Sequence, residues 1–417
     1  MMSEAYIVGA GMTPLGKHWD QSVKQLSAKA IDAALSDTGT GREAIDAAWF
    51  CNTRLGVLEG QHNIRGQTVL RAYGFENIAI FNTDNACASS SSGLAQGWAA
   101  VRSGMYDVVL VVGAEKMNFR GKDEQMFDAF KGSWDRDLAD QQMEALLALG
   151  EDLPLPEKAR NLTGQRSVFM DIYAAMARYH MHRFGTTEEQ IADVAAKNHW
   201  HSQWNDYAQY RTPMSREDVL ADKLISYPMT RAMCAPMSDG AAALVVASER
   251  VMDRFDRSRA VAIRGVAVSS GSNRKPDELD KHLTRTAADR AYEIAGLGPQ
   301  DVSVAELHDA TAFAEIMQSE HCGFAPYGEG GPLAESGATR LGGRLPINVS
   351  GGLLSKGHPI GATGAIQINE IVTQLRGEAG ARQVEGARIG LCENGGGFYG
   401  FEEAACVVSL FEAPAKA

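Results

Sequence analysis

The sequence predicts an α/β protein built from two similar halves, the first of which carries a long insertion. Three observations support this: β-prone apolar runs alternate with helical periodicity, the same order of elements occurs twice, and two turn-to-helix segments align at a single offset. In the first half, the strand Tyr6-Ile-Val-Gly9 precedes an amphipathic helix over 23–35 and a short strand over 47–50. A strand over 78–81 then leads through Asn82-Thr-Asp-Asn-Ala-Cys87 into a helix on which Leu94, Trp98, Ala99 and Val101 recur at helical spacing. The run 107–113 has no polar alternation and reads as a strand buried on both faces.

The second half repeats the plan. Val261-Ala-Ile-Arg-Gly265 mirrors the opening strand, 286–295 the first helix and 304–307 the short strand. Leu354-Ser-Lys-Gly-His358-Pro-Ile-Gly-Ala-Thr-Gly364 then opens a helix as the Cys87 stretch does. Ser92-Gly-Leu-Ala-Gln96 and Thr363-Gly-Ala-Ile-Gln367 align at an offset of 271 residues, which sets Cys87 opposite His358. The halves also close alike, Ala241-Ala-Ala-Leu-Val-Val-Ala against Glu403-Ala-Ala-Cys-Val-Val-Ser. Alternating strands and helices imply mainly parallel sheets, with ligands at the carboxyl ends of the strands.

The insertion is expected over 118–235. Its 120–165 part is highly charged and carries Pro154 and Pro156, which suggests irregular structure; helices follow over 165–184 and from Thr186-Thr-Glu-Glu189, a capping-box pattern. The pairs His180/His182 and His199/His201 sit at alternate helical positions, about 200° apart, so packing or solvated roles are expected and no metal site.

Composition narrows the function. A length of 417 residues with 45% hydrophobic content suffices for a sizeable core, and a net charge of -12 without a long basic run argues against nucleic-acid binding. Six scattered cysteines without a C-x-x-C pair suggest neither zinc nor disulfides and suit reduced thiols in the cytoplasm. No leader-like segment or membrane-length apolar run is apparent.

Four stretches can carry chemistry. Cys87 lies at the start of a helix, where free amides and the helix dipole favour a thiolate, with Ser89 to Ser92 able to cap. A small buried cysteine beside a turn is the alternative. His358, between Gly357 and Pro359, can take the Cys87 proton or simply cap its helix. Cys392-Glu-Asn-Gly395 follows a strand over 388–391 and reads as a glycine-rich bend offering a thiol and amides, or as an ordinary turn. His308 ends the strand over 304–307 and is either a working imidazole or one held structurally by Asp309.

On Asn85-Ala-Cys87-Ala-Ser-Ser, His308-Asp-Ala310, the Gly351 to Gly364 segment, Cys392-Glu-Asn-Gly395 and Met237-Ser-Asp-Gly-Ala-Ala-Ala243, the chain resembles the thiolase family along its whole length, nearest the sterol-carrier-protein-type branch. The resemblance implies the thiolase fold: two duplicated α/β halves in α-β-α-β-α layers, as 1–117 completed by 236–256, an inserted loop domain over 118–235, and 257–417. It implies Cys87 as acylated nucleophile, His358 as its base, Cys392 as the acid/base at the α-carbon, and His308 with His358 at the enolate oxygen. Backbone amides of Cys87 and Asn394 would form the oxyanion hole, and Met233 and Ser238 would face the substrate. The implied reaction is thiolysis of a 3-oxoacyl-CoA to acetyl-CoA or propionyl-CoA and a shortened acyl-CoA, or the reverse condensation. Coenzyme A is then a substrate, and neither cofactor nor metal is expected. Ala310 stands where some relatives carry the acid/base cysteine, and Asn394 replaces the glycine of Cys-x-Gly. Ketosynthase-like and aldolase-type relatives are the rival enzymes; Cys392 speaks against the first and Cys87 against the second. A homodimer or tetramer is implied, and a small zinc-ribbon/OB-fold protein is a possible partner.

Overall fold

The computed structural model describes residues 3–160, 162 and 167–415; residue 165, where a helix is expected to begin, lies outside them. The strands are β1 (Ala5–Met12), β2 (Ala47–Cys51), β3 (Ala79–Thr83), β4 (Val108–Glu115), β5 (Leu224–Ser226), β6 (Met229–Thr230), β7 (Gly240–Ser248), β8 (Val261–Ser270), β9 (Val304–Glu306), β10 (Ile389–Gly396) and β11 (Ala405–Glu412). All but β5 and β6, which form a small hairpin, run in the order β3-β2-β4-β7-β1-β8-β11-β10-β9.

This order is the duplication in space. In the first half β2 pairs parallel with β3 and β4, while β7 lies antiparallel between β4 and β1. In the second, β9 pairs parallel with β10 and with a single bridge at Ile347, while β11 lies antiparallel between β10 and β8. Within the sheet, among the described residues, the halves pair through Tyr6–Ala262 and Ile7–Val261.

Strand alternation builds the layers. Trp49, Val109 and Val111 from one half and Val304, Cys392 and Val407 from the other share a core with Leu94, Val101, Ile366 and Ile371 of the two central helices, Ser89–Arg102 and Thr363–Leu375. The opposite faces, Ala48, Phe50, Leu110 and Val112 in the first half and Ala305, Leu391, Val408 and Leu410 in the second, cover the outer helices Val23–Thr38 and Leu283–Ala295. Five layers result, the α-β-α-β-α thiolase fold. Each Val, Leu, Ile or Phe so buried contributes roughly 1.5–3 kcal/mol.

The central helices touch through their first turns. Ser90 Oγ accepts from the Ala365 N–H at 2.9 Å, and a Cβ on Gly364 would stand 1.9 Å from Ser91 Oγ. The serines therefore do not cap their helix, whose N-cap is Ala88. Ser89 instead ties the nucleophile turn, donating to the Ala86 carbonyl at 2.6 Å and accepting from the Asn85 N–H at 3.0 Å.

The 118–235 region is more helical than its charge suggested. It holds Asp123–Ala129, Ala139–Ala148, Val168–Phe184 and Glu188–Ser202, the last capped reciprocally by Thr187 and Gln190. Its core is shared with Phe313 and Leu354 of the second half and with Phe398, which roofs the sheet ends.

Candidate active site

The turns before both central helices open into one cavity of about 730 Å³. Cys87, His308 and His358 all line it, and one polar atom of each lies within 4.8 Å of the other two. The imidazoles meet edge to face, with centroids 5.3 Å apart. The turn bearing Cys87 is forced by Ala86, whose φ of 49° is left-handed; strain of this kind costs on the order of 1 kcal/mol. Asp84 Oδ1 holds the Ala86 N–H at 3.2 Å.

Hydrogen bonds fix the tautomers. Thr363 Oγ1 donates to the Pro359 carbonyl at 3.2 Å, so it accepts from His358 Nδ1 at 2.7 Å, leaving His358 Nε2 as the proton acceptor. Ser91 donates to Asn394 Oδ1 at 2.8 Å, which turns Asn394 Nδ2 toward His308 Nδ1 at 2.9 Å. His308 Nδ1 is therefore an acceptor, and Nε2 carries the hydrogen. One imidazole is set as a base and the other as a donor.

Burial governs the protonation states. It pushes the Cys87 thiol from 9.0 up to about 12, with Arg54 pulling it down and Glu115 pushing it up. Each tenfold is about 1.4 kcal/mol, so the roughly 0.3–1 kcal/mol of a helix terminus does not win. At rest Cys87 is a thiol, contrary to the thiolate expected from its position. Burial lowers His308 to about 4, and burial, His308 and Arg54 together push His358 well below the usual range. Both imidazoles are neutral at pH 7, so His358 is able to take the thiol proton as sulfur attacks.

Cys392 does not reach this site. The sequence placed it in a bend after residue 391, but β10 runs on to Gly396, and Cys392 packs in the central core, 2% exposed. Residues 392, 394 and 396 share a face. Position 396 meets the nucleophile turn, because a Cβ there would stand 2.2 Å from the Asn85 carbonyl oxygen. Cys392 lies four residues back, roughly 13 Å along the strand. Asn394, whose backbone amide was expected at the oxyanion, also falls behind the wall, which Gly395, Gly396 and Gly397 supply; its side chain sets the His308 tautomer instead.

Met233 is buried in the core beneath the wall formed by Cys234 to Met237, so its expected substrate contact is not made. Ser238 is a positioning residue: it accepts from the His358 N–H at 3.0 Å and donates to Gln209 at 2.6 Å. Asp309 accepts from Leu353 N–H at 2.7 Å and from Asn198 at 2.8 Å, so it does not hold His308. His180, His199 and His201 hydrogen-bond to protein groups through both ring nitrogens.

Sequence reasoning passed over Arg54, Tyr173, Phe398 and Glu403, all on the wall. Arg54 donates to the Ala129 carbonyl at 2.7 Å and to Ser133 at 3.2 Å, tying the insertion to the first half. Phe130, Phe169, Tyr173 and Phe398 make an aromatic side to the cavity, with Phe169 and Tyr173 5.4 and 5.7 Å from Phe398. The one signal available was their occurrence in the insertion and just after the glycine run.

Comparison with known proteins agrees. The N-terminal domain of thiolase matches residues 5–250, and a thiolase C-terminal domain-like region matches 265–409. An acetyl-CoA acetyltransferase of Methanothermobacter thermautotrophicus is 35% identical over 401 residues, covering 95% of this chain and 97% of that protein. Sterol carrier protein 2 of Oryctolagus cuniculus is 33% identical over 403 residues, covering 94% of this chain and 70% of that protein. Among solved structures, the Ltp2-ChsH2(DUF35) aldolase shares the fold at a TM-score of 0.77 and 24% identity, covering 99% of this chain and 98% of the other. Matched in both halves and related along nearly its whole length, the chain belongs to the thiolase family of acyltransferases.

Proposed function

We propose that the protein is a thiolase that moves an acyl group between a 3-oxoacyl-CoA and CoA through a thioester on Cys87. The observation that carries this reading is the convergence of the Cys87 thiol, the His358 acceptor and the His308 donor within 4.8 Å on one cavity wall. In the cleavage direction Cys87 sulfur attacks the 3-oxo carbon while its proton passes to His358 Nε2. The bond between the 2- and 3-carbons breaks, and the acyl-CoA enolate leaves with its oxygen facing His308 Nε2–H. CoA then takes the acyl group from sulfur.

The aromatic side of the cavity supports a bulky apolar or aromatic acyl group, and coenzyme A enters as substrate. The tests are thiolysis of a panel of 3-oxoacyl-CoA thioesters, followed at the thioester absorbance. Faster turnover of aromatic or branched chains than of short linear ones is expected; no thiolysis across the panel contradicts the reading.

An aldolase reading has its own support, in the likeness to the Ltp2-ChsH2(DUF35) aldolase and in the placement of Cys392 away from the cavity. Such an enzyme cleaves a β-hydroxyacyl-CoA without acylating Cys87, so a Cys87→Ser variant separates the two: thiolysis is lost and retro-aldol cleavage kept. That aldolase is named for two components, which supports a small zinc-ribbon/OB-fold partner beside a homodimer or tetramer. Co-expression and size exclusion test this. Among the described residues no helix is long and apolar enough to cross a membrane. All six cysteines are free thiols, which supports a reducing setting such as the cytoplasm.

A further inference from the structure

A carbon–carbon cleavage that releases an enolate needs a group to protonate the α-carbon, and with Cys392 in the core that group has to come from elsewhere on the cavity wall. Most titratable side chains there are already committed. His199 is bonded at both nitrogens, Asp222 pairs with Arg231 at 2.7 Å, and the Cys234 thiol donates to the Thr230 carbonyl at 3.3 Å. Tyr173 is a phenol that burial holds well above its ordinary range. Glu403 remains.

Its neighbour shows how unusual Glu403 is. Glu402 is saturated: it pairs with Arg274 at 2.7 Å and accepts from the N–H groups of Ser272 and Leu283, both at 2.9 Å. Glu403, 2% exposed, accepts one bond from another residue, from Gln318 Nε2 at 3.2 Å, and its Oε2 is buried with no side-chain partner. The nearest donor is His282 Nε2 at 3.6 Å, too far for a hydrogen bond. His282 Nδ1 accepts from the Thr284 N–H, so the hydrogen is on Nε2 and faces the carboxylate. A buried carboxylate this poorly compensated is costly to charge, and no structural contact in the scaffold explains its retention. The side chain lies against Gly395, whose added Cβ would stand 2.9 Å from Glu403 Cγ; Glu403 lines the same cavity as Cys87, and the next glycine, Gly396, abuts the Cys87 turn.

We propose that Glu403 is the acid/base that moves the α-proton, in the place expected for Cys392. The inference rests on the thiolase reading. In the condensing direction a carboxylate oxygen takes a proton from the α-carbon of acyl-CoA; the C–H electron pair becomes the enolate, with its oxygen at His308. In cleavage, protonated Glu403 returns that proton to the α-carbon of the leaving enolate. The resulting carboxylate takes the thiol proton of the incoming CoA, whose sulfur attacks the Cys87 thioester; the bond from the acyl carbon to Cys87 sulfur breaks, and that sulfur takes its proton back from His358 Nε2. Burial and Glu402 raise the Glu403 carboxyl to about 7, with its own backbone N–H and Arg274 pulling it down, so both forms are present at neutral pH. Glu393, raised to about 8, Tyr173 and His282 also face it.

The test is exchange of the acetyl protons of acetyl-CoA for deuterium, read by mass spectrometry beside acylation of Cys87. Glu403→Gln should acylate Cys87, which reports a folded site, yet exchange at least about 100-fold more slowly than the unaltered protein. Cys392→Ala should exchange within a few fold of it. In the unaltered protein exchange should rise with pH through about 7 as the carboxylate forms, a readout that stands even if Glu403→Gln does not fold. Undiminished exchange in an acylating Glu403→Gln, loss of exchange in Cys392→Ala, a flat profile from pH 5.5 to 8.5, or no exchange by a normally acylating protein would each overturn the assignment. Failure of the unaltered protein to acylate at all would instead count against the thiolase reading itself.

Discussion

The connections leaving the two equivalent strands β4 and β10 contrast sharply. The first spans residues 116–239 and contributes several helices that share a core with the second half; the second spans 397–404 and returns at once to β11. Yet both end on the same cavity. The insertion brings Phe169 and Tyr173, and the short loop brings Phe398 and Glu403. The duplicated scaffold therefore determines where the thiol and the imidazoles meet, while the unequal connections supply the aromatic side and Glu403. Changes in the shared turns should abolish acyl transfer, a change at Glu403 should slow proton transfer, and changes in the aromatic residues should redirect substrate choice.

The largest effect is expected at the first shared turn. Cys87→Ala should lower thiolysis by roughly 10³-fold or more, measured by release of free CoA thiol in the reverse assay or its consumption in the forward one. Activity within tenfold of the unaltered protein would mean that the turn does not carry the reaction.

Next comes the tautomer relay from the second half. Asn394→Asp presents only acceptors to His308 Nδ1, which then holds the hydrogen and strips it from Nε2. Loss of one such donor is expected to lower kcat by roughly 10²-fold with little change in KM. Asn394→Gln recovering more than Asn394→Asp would sharpen the claim that the donor matters, and equal losses would weaken it.

A smaller and selective effect is expected in the short connection. Phe398→Ala removes a ring packed 5.9 Å from Trp134 and 5.4 Å from Phe169, and should raise KM for aromatic acyl chains about tenfold while leaving acetoacetyl-CoA within about twofold. Equal losses on both substrates would show that Phe398 supports the fold alone. The smallest effect on activity is expected from Cys392→Ala: thiolysis within about twofold, and a stability loss of about 1 kcal/mol by urea denaturation from the small cavity.

Much of this was legible in the chain. The repeated order of elements and the 271-residue offset carried the duplication through to the observed strand order, and the opposed Cys87 and His358 do share a cavity. Register was not legible. A glycine run after residue 391 reads as a bend, but in a sheet glycines also continue a strand where another backbone must come close, and Gly396 does this against Asn85. That difference moves Cys392 from the cavity to the core. The serines after Cys87 misled for a similar reason: at a helix start they look like caps, whereas here Ser89 ties its own turn, Ser90 accepts from the second helix and Ser91 donates to Asn394 on β10. Protonation states lay beyond the sequence too, since they follow from burial that only the packed insertion and second half create.

The most direct test of the central claim is to mix the protein with a slowly turned-over 3-oxoacyl-CoA, quench in acid, and map the acyl group by peptide mass spectrometry. A single adduct is expected on the peptide carrying Cys87, absent from His358→Asn or formed there at least about 100-fold more slowly. An adduct on any other cysteine, or turnover with Cys87 never acylated, would contradict acyl transfer through this thiol.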